Sequence, residues 1–412
     1  MKIILITSEY PYGLNETFIH NEVKFYEKIK NLDITFLPSK RKDYQRKLNF
    51  SFKLDSSLSK KKNKTISSKI YFFLKSLKYR VFYKELFRVL FTKPLAIRHF
   101  AFSISNFAFY LEFFESYFDI KKSYSNVIVY TYWNNEITYA LQHLKYKYNF
   151  KLVSRIHGYD LFKERRPYNY MPLKIHFYEK INKVFAVSIN TFSYLRDNYR
   201  FRKEIIDHSY LGVKDPLHIT KPNNPNKLHV VSCSRIESVK RLDILIESLI
   251  HLSIKRKDIK IYWSHFGDGY LKNKLINKYK DKLNEFSYTF YGNVENQKLY
   301  NFYSKNKIDL FINSSESEGL PISILEALSF GIPVIAPDIG GISEVIKNKS
   351  NGILLRKNHN YKDLLYAIEI FIDNDNKLLF KENSYKMFKN KFELNLNYSK
   401  FFKKIETIVQ GN

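Results

Sequence analysis

What most constrains this chain is a rhythm. Short apolar runs rich in β-branched residues alternate with longer amphipathic stretches along most of its 412 residues. In the first half the runs fall at 3–7, 34–37, 127–130, 152–156 and 184–187. In the second half they fall at 229–233, 259–263, 286–291, 310–312, 333–336 and 352–355. Helical patterns lie between them, as at 242–252, 271–283 and 323–330. This alternation predicts parallel sheets, because parallel neighbours need a crossover that is usually a helix lying on the sheet face. The rhythm breaks once, at 213–227, where Pro216, Pro222 and Pro225 among few apolar residues predict a linker. The expected organisation is two doubly wound α/β domains, 1–212 and 228–390, followed by a C-terminal helix within 391–412. Such domains bind ligands at the carboxyl ends of their strands, which puts the expected site in a cleft between the two.

Composition excludes several alternatives. Hydrophobic residues are 44% and charged residues 26%, the balance of a soluble globular protein. The one cysteine, Cys233, rules out a disulfide framework and a cysteine-rich metal site. No apolar run approaches the ~20 residues of a membrane-spanning helix. The N-terminal run 3–6 is too short for a signal peptide and is expected as a buried first strand, so a cytoplasmic protein is expected.

The net charge of +29 is unevenly spread. Between Lys40 and Phe100, 18 Lys/Arg face only Asp43, Asp55 and Glu85, a net +15 in about a seventh of the chain. The segment of about 40–115 also departs from the α/β pattern, with a lysine-rich start at 60–64 and then aromatic, basic helical sequence over 71–89. It is expected as a helical insertion in the first domain. Either its aromatics pack on that domain, or it presents a basic amphipathic surface to anionic lipid near residues 40–100. Nucleic-acid binding would explain the charge, but no recognition motif is present and no specific nucleic-acid partner is expected.

The most informative stretch runs from Asn313 to Ala336. A strand ends near Ile312, a polar loop follows, and a helix is expected from Pro321 to a glycine cap at Gly331. The loop puts Gly319 and its neighbours at a helix N-terminus, where backbone N–H groups suit phosphate or sugar oxygens. Glu318 and Glu326 are expected to share that pocket, since carboxylates accept the paired hydrogen bonds of vicinal hydroxyls. Acidic residues near a helix N-terminus would also be favourable without any ligand. Upstream, a strand delivers Arg235 and the next helix opens near Lys240. Two fixed cations at a βα junction can neutralise a departing diphosphate without a metal. Asp373-Asn374-Asp375 follows an apolar helical run and is expected as a helix-terminal turn, with no metal site.

Taken together, these residues resemble a known family. Glu318 and Glu326, followed by Gly331-Ile332-Pro333-Val334-Ile335-Ala336 and Gly340-Gly341, resemble the signature of family-four retaining glycosyltransferases. Ser234-Arg235 with Lys240 is similar to that family's basic pair, and Phe266-Gly267-Asp268-Gly269 to its Gly-rich strand end. Tyr291-Gly292-Asn293-Val294 resembles its base-binding loop. Tyr130-Thr131-Tyr132-Trp133 and Arg155-Ile156-His157-Gly158-Tyr159-Asp160-Leu161 resemble the acceptor-side motifs of capsule, O-antigen and exopolysaccharide enzymes. Lys240-Arg241 stands where the family usually has Lys-Gly.

The resemblance implies a GT-B architecture: two Rossmann-like domains facing a cleft, and a last helix crossing back to the first. It also implies a bacterial glycosyltransferase, retaining and metal-independent, using a nucleotide sugar as substrate rather than a cofactor. A uridine nucleotide is expected over guanosine on family frequency. The transferred group would be a hexose or N-acetylhexosamine, and the acceptor a lipid-linked or oligosaccharide chain met at the inner face of the cytoplasmic membrane. By motif position, Arg235 and Lys240 would hold the diphosphate, Glu318 the transferred sugar and Glu326 the ribose. Gly319, Leu320 and Pro321 would line the pocket, with Gly267, Asn293 and Val294 on the donor side and Gly13 approaching the phosphates. Trp133, His157 and Asp160 would stand on the acceptor side, His157 facing the reacting sugar. An inactive glycosyltransferase-like partner subunit is the alternative.

Overall fold

A computed structural model describes residues 1–13, 16–48, 52–61, 65–119 and 123–410. The chain forms two compact units. The first comprises Met1–Ser209 with the C-terminal stretch from Ser399, and the second Tyr210–Tyr398. The stretch expected as a linker therefore belongs to the second unit. Thr220 donates its N–H to Phe330 O at 2.9 Å, and Val213 is fully buried and bridged to Glu393.

In the first unit, seven strands form one sheet: β1 (Lys2–Thr7), β2 (Asp33–Pro38), β3 (Lys53–Leu54), β4 (Val127–Thr131), β5 (Lys151–Ile156), β6 (Lys183–Ala186) and β7 (Ile206–His208). Their spatial order is β3-β2-β1-β4-β5-β6-β7, and every pairing is parallel. Residues 3–7 of β1 and all of β4 are buried, which is why both are continuous apolar runs. Chain order reverses at β1/β4, so the loops after these strands border the crevice of the first sheet.

The second unit has six strands: β8 (Lys227–Cys233), β9 (Lys260–Phe266), β10 (Ser287–Phe290), β11 (Leu310–Ile312), β12 (Val334–Pro337) and β13 (Gly352–Leu355). Again all pairings are parallel, in the order β10-β9-β8-β11-β12-β13, with the reversal at β8/β11. Helix Ile322–Ser329 ends as expected, Gly331 donating its N–H to Leu328 O at 2.9 Å. Its start differs slightly: Pro321 is extended (φ −70°, ψ 121°) and precedes the first helical residue.

The basic segment is helical, but in pieces. Helices Ile66–Ser76 and Arg80–Thr92 replace the single run expected over 71–89, and Ile97–Tyr117 follows. The last of these packs Phe100, Ile104, Phe107, Leu111 and Phe114 into the core of the first unit. Residues 62–64 of the lysine run lie outside the described residues. Helix Leu394–Gln410 enters the first unit at Ser399, where Phe401 packs on Tyr130 and Phe185. The Arg155 guanidinium lies 3.9 Å from the centre of the Phe401 ring. That guanidinium is wholly buried and pairs with Glu22 at 3.3 Å, so the last helix covers a buried ion pair. Among the described residues no helix is long and apolar enough to cross a membrane.

Glu85 ties the helical segment to the rest of the first unit. Its fully buried carboxylate takes hydrogen bonds from Arg88, from Tyr170 Oη at 2.7 Å and from the Leu173 N–H at 3.0 Å. His176 Nε2 lies 2.8 Å away. Burial alone would raise its pKa, yet the bonds from Arg88, His176 and Tyr170 hold it down at about 2. A carboxylate that is more acidic folded than unfolded stabilises fully above its unfolded pKa, and that contribution drains away as pH falls toward the folded value. Glu85→Gln should therefore lower stability by about 3 kcal/mol at pH 7. Followed by thermal melting, the gap from the unaltered protein should shrink between pH 4.5 and 2; an equal gap at pH 7 and pH 3 would contradict the role.

Candidate functional site

In the second unit the loops after β8 and β11 are joined by charge and by backbone. Lys240 Nζ donates to Glu318 Oε1 at 2.6 Å, and the two side chains are 14% and 8% exposed. The same oxygen accepts from Ser315 Oγ at 2.6 Å and from Asn313 Nδ2 at 3.3 Å. The Glu316 N–H donates to Val239 O at 2.8 Å and Ser314 Oγ to Lys240 O at 2.9 Å. Glu318 is thus held as an anion by one cation and two neutral donors, at the point where the second sheet reverses.

Glycines allow the close approaches around it. A Cβ on Gly340 would lie 2.1 Å from Glu318 O, and one on Gly267 would lie 1.9 Å from Ser234 O. Both have positive φ, 56° and 127°. Only glycine fits either place, so the Gly-rich strand end after β9 is pressed against the loop that carries Arg235. Gly319 and Leu320 are buried beside Glu318, and Pro321 is half-buried. Asn293 is exposed after β10, and Val294 is half-buried against the apolar core.

Two of the expected site residues have partners of their own. Arg235 does not join Lys240: its side chain is 65% exposed and pairs with Glu237 at 2.7 Å. A short loop turn lets this side chain reach an acid two residues along, which spacing alone does not show. Glu326 has surroundings of its own, accepting from Asn296 Nδ2 at 2.6 Å in a buried place near Cys233 and Tyr303. Burial there raises its pKa to about 7, only partly opposed by Asn296.

In the first unit, Trp133, His157 and Asp160 form one cluster at the ends of β4 and β5. The His157 ring stacks on Tyr132 at 5.4 Å and lies 4.5 Å from Trp133 and 5.6 Å from Phe18. Both ring nitrogens are buried and have no hydrogen-bond partner among the described residues. Burial, with Arg155 nearby, lowers its pKa to about 3, so the imidazole is neutral at pH 7. Asp160 does not face outward; it accepts the N–H groups of His157 at 2.6 Å and Asn134 at 2.7 Å, clamping both strand ends. Gly13 lies in the loop after β1, its N–H on Tyr44 O at 2.8 Å. A small hollow at the ends of β1 and β4 is lined by residues including Thr7, Ser8, Ser39, Thr131 and Trp133.

Two residues of this cluster escaped sequence reading. Lys174, wholly buried, donates to Asn134 O at 2.9 Å, and burial pulls its pKa down. Glu16 takes the Glu9 and Tyr10 N–H groups at 2.7 Å each and the Trp133 indole N–H at 2.6 Å. No motif marks either one: Trp133, which ties Glu16 to the cluster, lies 117 residues away, and the Asn134 partner of Lys174 lies 40 residues away. Asp373, by contrast, stands where expected at a helix end, paired with Arg256 at 2.8 Å. Among the described residues no three His, Cys, Asp or Glu side chains are grouped to hold a metal ion.

The position of Glu326 makes a checkable statement. Because it keeps its proton to a higher pH folded than unfolded, it costs stability as pH rises from about 4.5 to 7. Glu326→Gln removes that cost. The variant should gain on the order of 3 kcal/mol relative to the unaltered protein at pH 8 and almost nothing at pH 4.5. Chemical denaturation at the two pH values checks this, and a gain equal at both would contradict the buried, protonated carboxyl.

Comparison with known proteins agrees with this architecture. Residues 214–393 match the family described as "Glycosyl transferases group 1". A poly(ribitol-phosphate) alpha-N-acetylglucosaminyltransferase of Staphylococcus aureus (strain COL) is 33% identical over 144 residues, 34% of this chain and 28% of that protein. The O-antigen biosynthesis glycosyltransferase WclY of Escherichia coli is 34% identical over 109 residues, 26% of this chain and 28% of that one. The matched stretches thus span under a third of these relatives' own length. Among solved structures, a S. aureus TarM mutant in complex with fondaparinux, alpha-GlcNAc-glycerol and UDP superposes with a TM-score of 0.67 at 15% identity, over 98% of this chain and 99% of that one. The second unit thus matches the model of the group 1 glycosyltransferases over nearly its whole length, and the chain carries the GT-B fold, with O-antigen and poly(ribitol-phosphate) enzymes among the proteins it is similar to.

Proposed function

We propose that the protein is a retaining, metal-independent glycosyltransferase of bacterial surface polysaccharide synthesis. Its donor is a nucleotide sugar, a UDP-sugar before a GDP-sugar, and the group moved is a hexose or N-acetylhexosamine. Its acceptor is a lipid-linked or oligosaccharide chain at the inner face of the cytoplasmic membrane. The observation that carries this reading is the Lys240–Glu318 pair at the reversal of the second sheet, inside the matched family region. Bound UDP in a structural neighbour supports the uridine donor.

In this reading Lys240 offers its ammonium to the β-phosphate while Glu318 keeps its bonds from Ser315 and Asn313 and accepts sugar hydroxyls. Arg235, exposed on the same loop, exchanges Glu237 for the diphosphate. Glu326, beside Asn296, accepts the ribose hydroxyls, and its proton leaves as they bind. Gly319, Leu320 and Pro321 line the pocket, and Gly267, Asn293 and Val294 its nucleotide side. His157 stays neutral and orients the acceptor beside Trp133, with Asp160 holding both strand ends in place. No side chain has to be a strong base: the departing phosphate takes the acceptor proton on the face where the new bond forms.

The first test is hydrolysis of a panel of UDP-, GDP- and ADP-sugars by the purified protein. One donor should be cleaved above the rest, unchanged by chelator. Lys240→Ala and Arg235→Ala should each lower that turnover by ~10²-fold or more, the usual loss when an electrostatic donor to a developing anion is removed. Near-normal turnover in Lys240→Ala would overturn the assignment, and absence of both binding and cleavage across the panel would favour an inactive partner subunit.

A further inference from the structure

Two helices of the first unit are apolar on both faces. Ile66–Ser76 buries only Phe72 and Ser76, and Arg80–Thr92 buries only Phe82, Glu85 and Val89. A surface helix ordinarily turns polar residues outward. Here the outward stripes carry Ile70 and Leu74 on the first helix and Phe87, Leu90 and Phe91 on the second, 50–81% exposed. Leu95, 74% exposed, extends the second stripe just past its helix end. The spacings of three and four residues put each set on one face. Phe87 and Phe91 lie parallel with ring centres 6.3 Å apart. Scattered exposed apolar residues are common, but bulky ones gathered on consecutive helices mark an interaction surface.

The charge around these stripes has one sign. From Thr65 to Ser105 there are eight Lys/Arg and a single acid, Glu85, whose carboxylate is buried. Lys69, Lys78, Arg80, Lys84 and Arg98 are exposed among the apolar side chains. An anionic surface with an apolar interior satisfies both features at once. A second copy of this chain would bring like charges together, and an acidic protein face would leave the phenylalanines without an apolar partner.

We propose that these two helices dock on an anionic bilayer, with Phe87, Leu90 and Phe91 below the headgroups and the basic side chains on the lipid phosphates. The surface is fixed to the rest of its unit: Glu85, on the buried face of the second helix, is bonded to Tyr170 and Leu173, next to the acceptor-side Lys174. The inference deepens the lipid-linked acceptor reading and takes its biological sense from it, while its geometry stands apart.

The test is flotation of the full-length protein with vesicles of phosphatidylcholine alone or equimolar with phosphatidylglycerol. The protein should float with the anionic vesicles only. The pair Phe87→Ser and Phe91→Ser should cut the bound fraction about tenfold or more, from the apolar area withdrawn. Lys84→Glu with Arg98→Glu should do so by about tenfold through charge. Both pairs should keep the melting temperature and donor hydrolysis of the unaltered protein, since their side chains are exposed and belong to the first unit, whereas Lys240 and Glu318 belong to the second. Equal flotation on both vesicles, no loss with either pair, or a dimer in light scattering that Phe91→Ser dissolves would overturn the proposal. Donor turnover without flotation defeats docking alone, whereas flotation with neither donor binding nor turnover defeats the glycosyltransferase reading and leaves docking standing.

Discussion

The second unit is organised around one ion pair. Lys240 comes from the loop after β8 and Glu318 from the loop after β11, neighbouring strands between which the order of the sheet reverses. A parallel sheet opens a crevice there, because the helices after the two strands depart to opposite faces. The pair, at 2.6 Å, bridges that crevice, and the backbone bonds from Glu316 to Val239 and from Ser314 to Lys240 keep the loops in register. Gly340 and Gly267 let neighbouring loops come close enough to hold both ends. In the proposed function a diphosphate takes the cation and a sugar the anion, so a bound diphosphate would compete with Glu318 for Lys240.

The first unit solves a similar problem with buried charge. Arg155 and Glu22 pair beneath the last helix, Asp160 and Lys174 brace the ends of β4 and β5, and Glu16 fills a turn of backbone N–H groups after β1. Breaking such pairs is costly because the remaining partner stays buried and uncompensated. They hold Trp133 and His157 in one arrangement around a neutral imidazole.

Much of this was legible in the sequence, and for a physical reason. Strands buried on both faces must be continuous apolar runs, so β1, β4 and β11 announce themselves. The strands that escaped, β3 and β7, are the two edges of their sheet, short and partly polar, so no apolar run marks them. The helix cap at Gly331 was readable because glycine there answers a local need of the backbone. The partners of Glu16, Lys174 and Arg235 were not, because tertiary neighbours and side-chain torsions choose them. The break at 77–79 between two basic helices also escaped, since the apolar pattern continues through it. The doubly apolar character of those helices became visible only once one face was seen to be covered and the other open.

The most direct test of this account is a double-mutant cycle on donor binding, with Lys240→Met, Glu318→Gln and both together, titrated with the UDP-sugar that the protein cleaves best. If the pair acts as a unit that trades its partner for the donor, the two losses will be strongly non-additive, the double variant binding little worse than the weaker single variant. Losses that add within experimental error would mean that Lys240 and Glu318 act independently, and the account built on their pairing would fail.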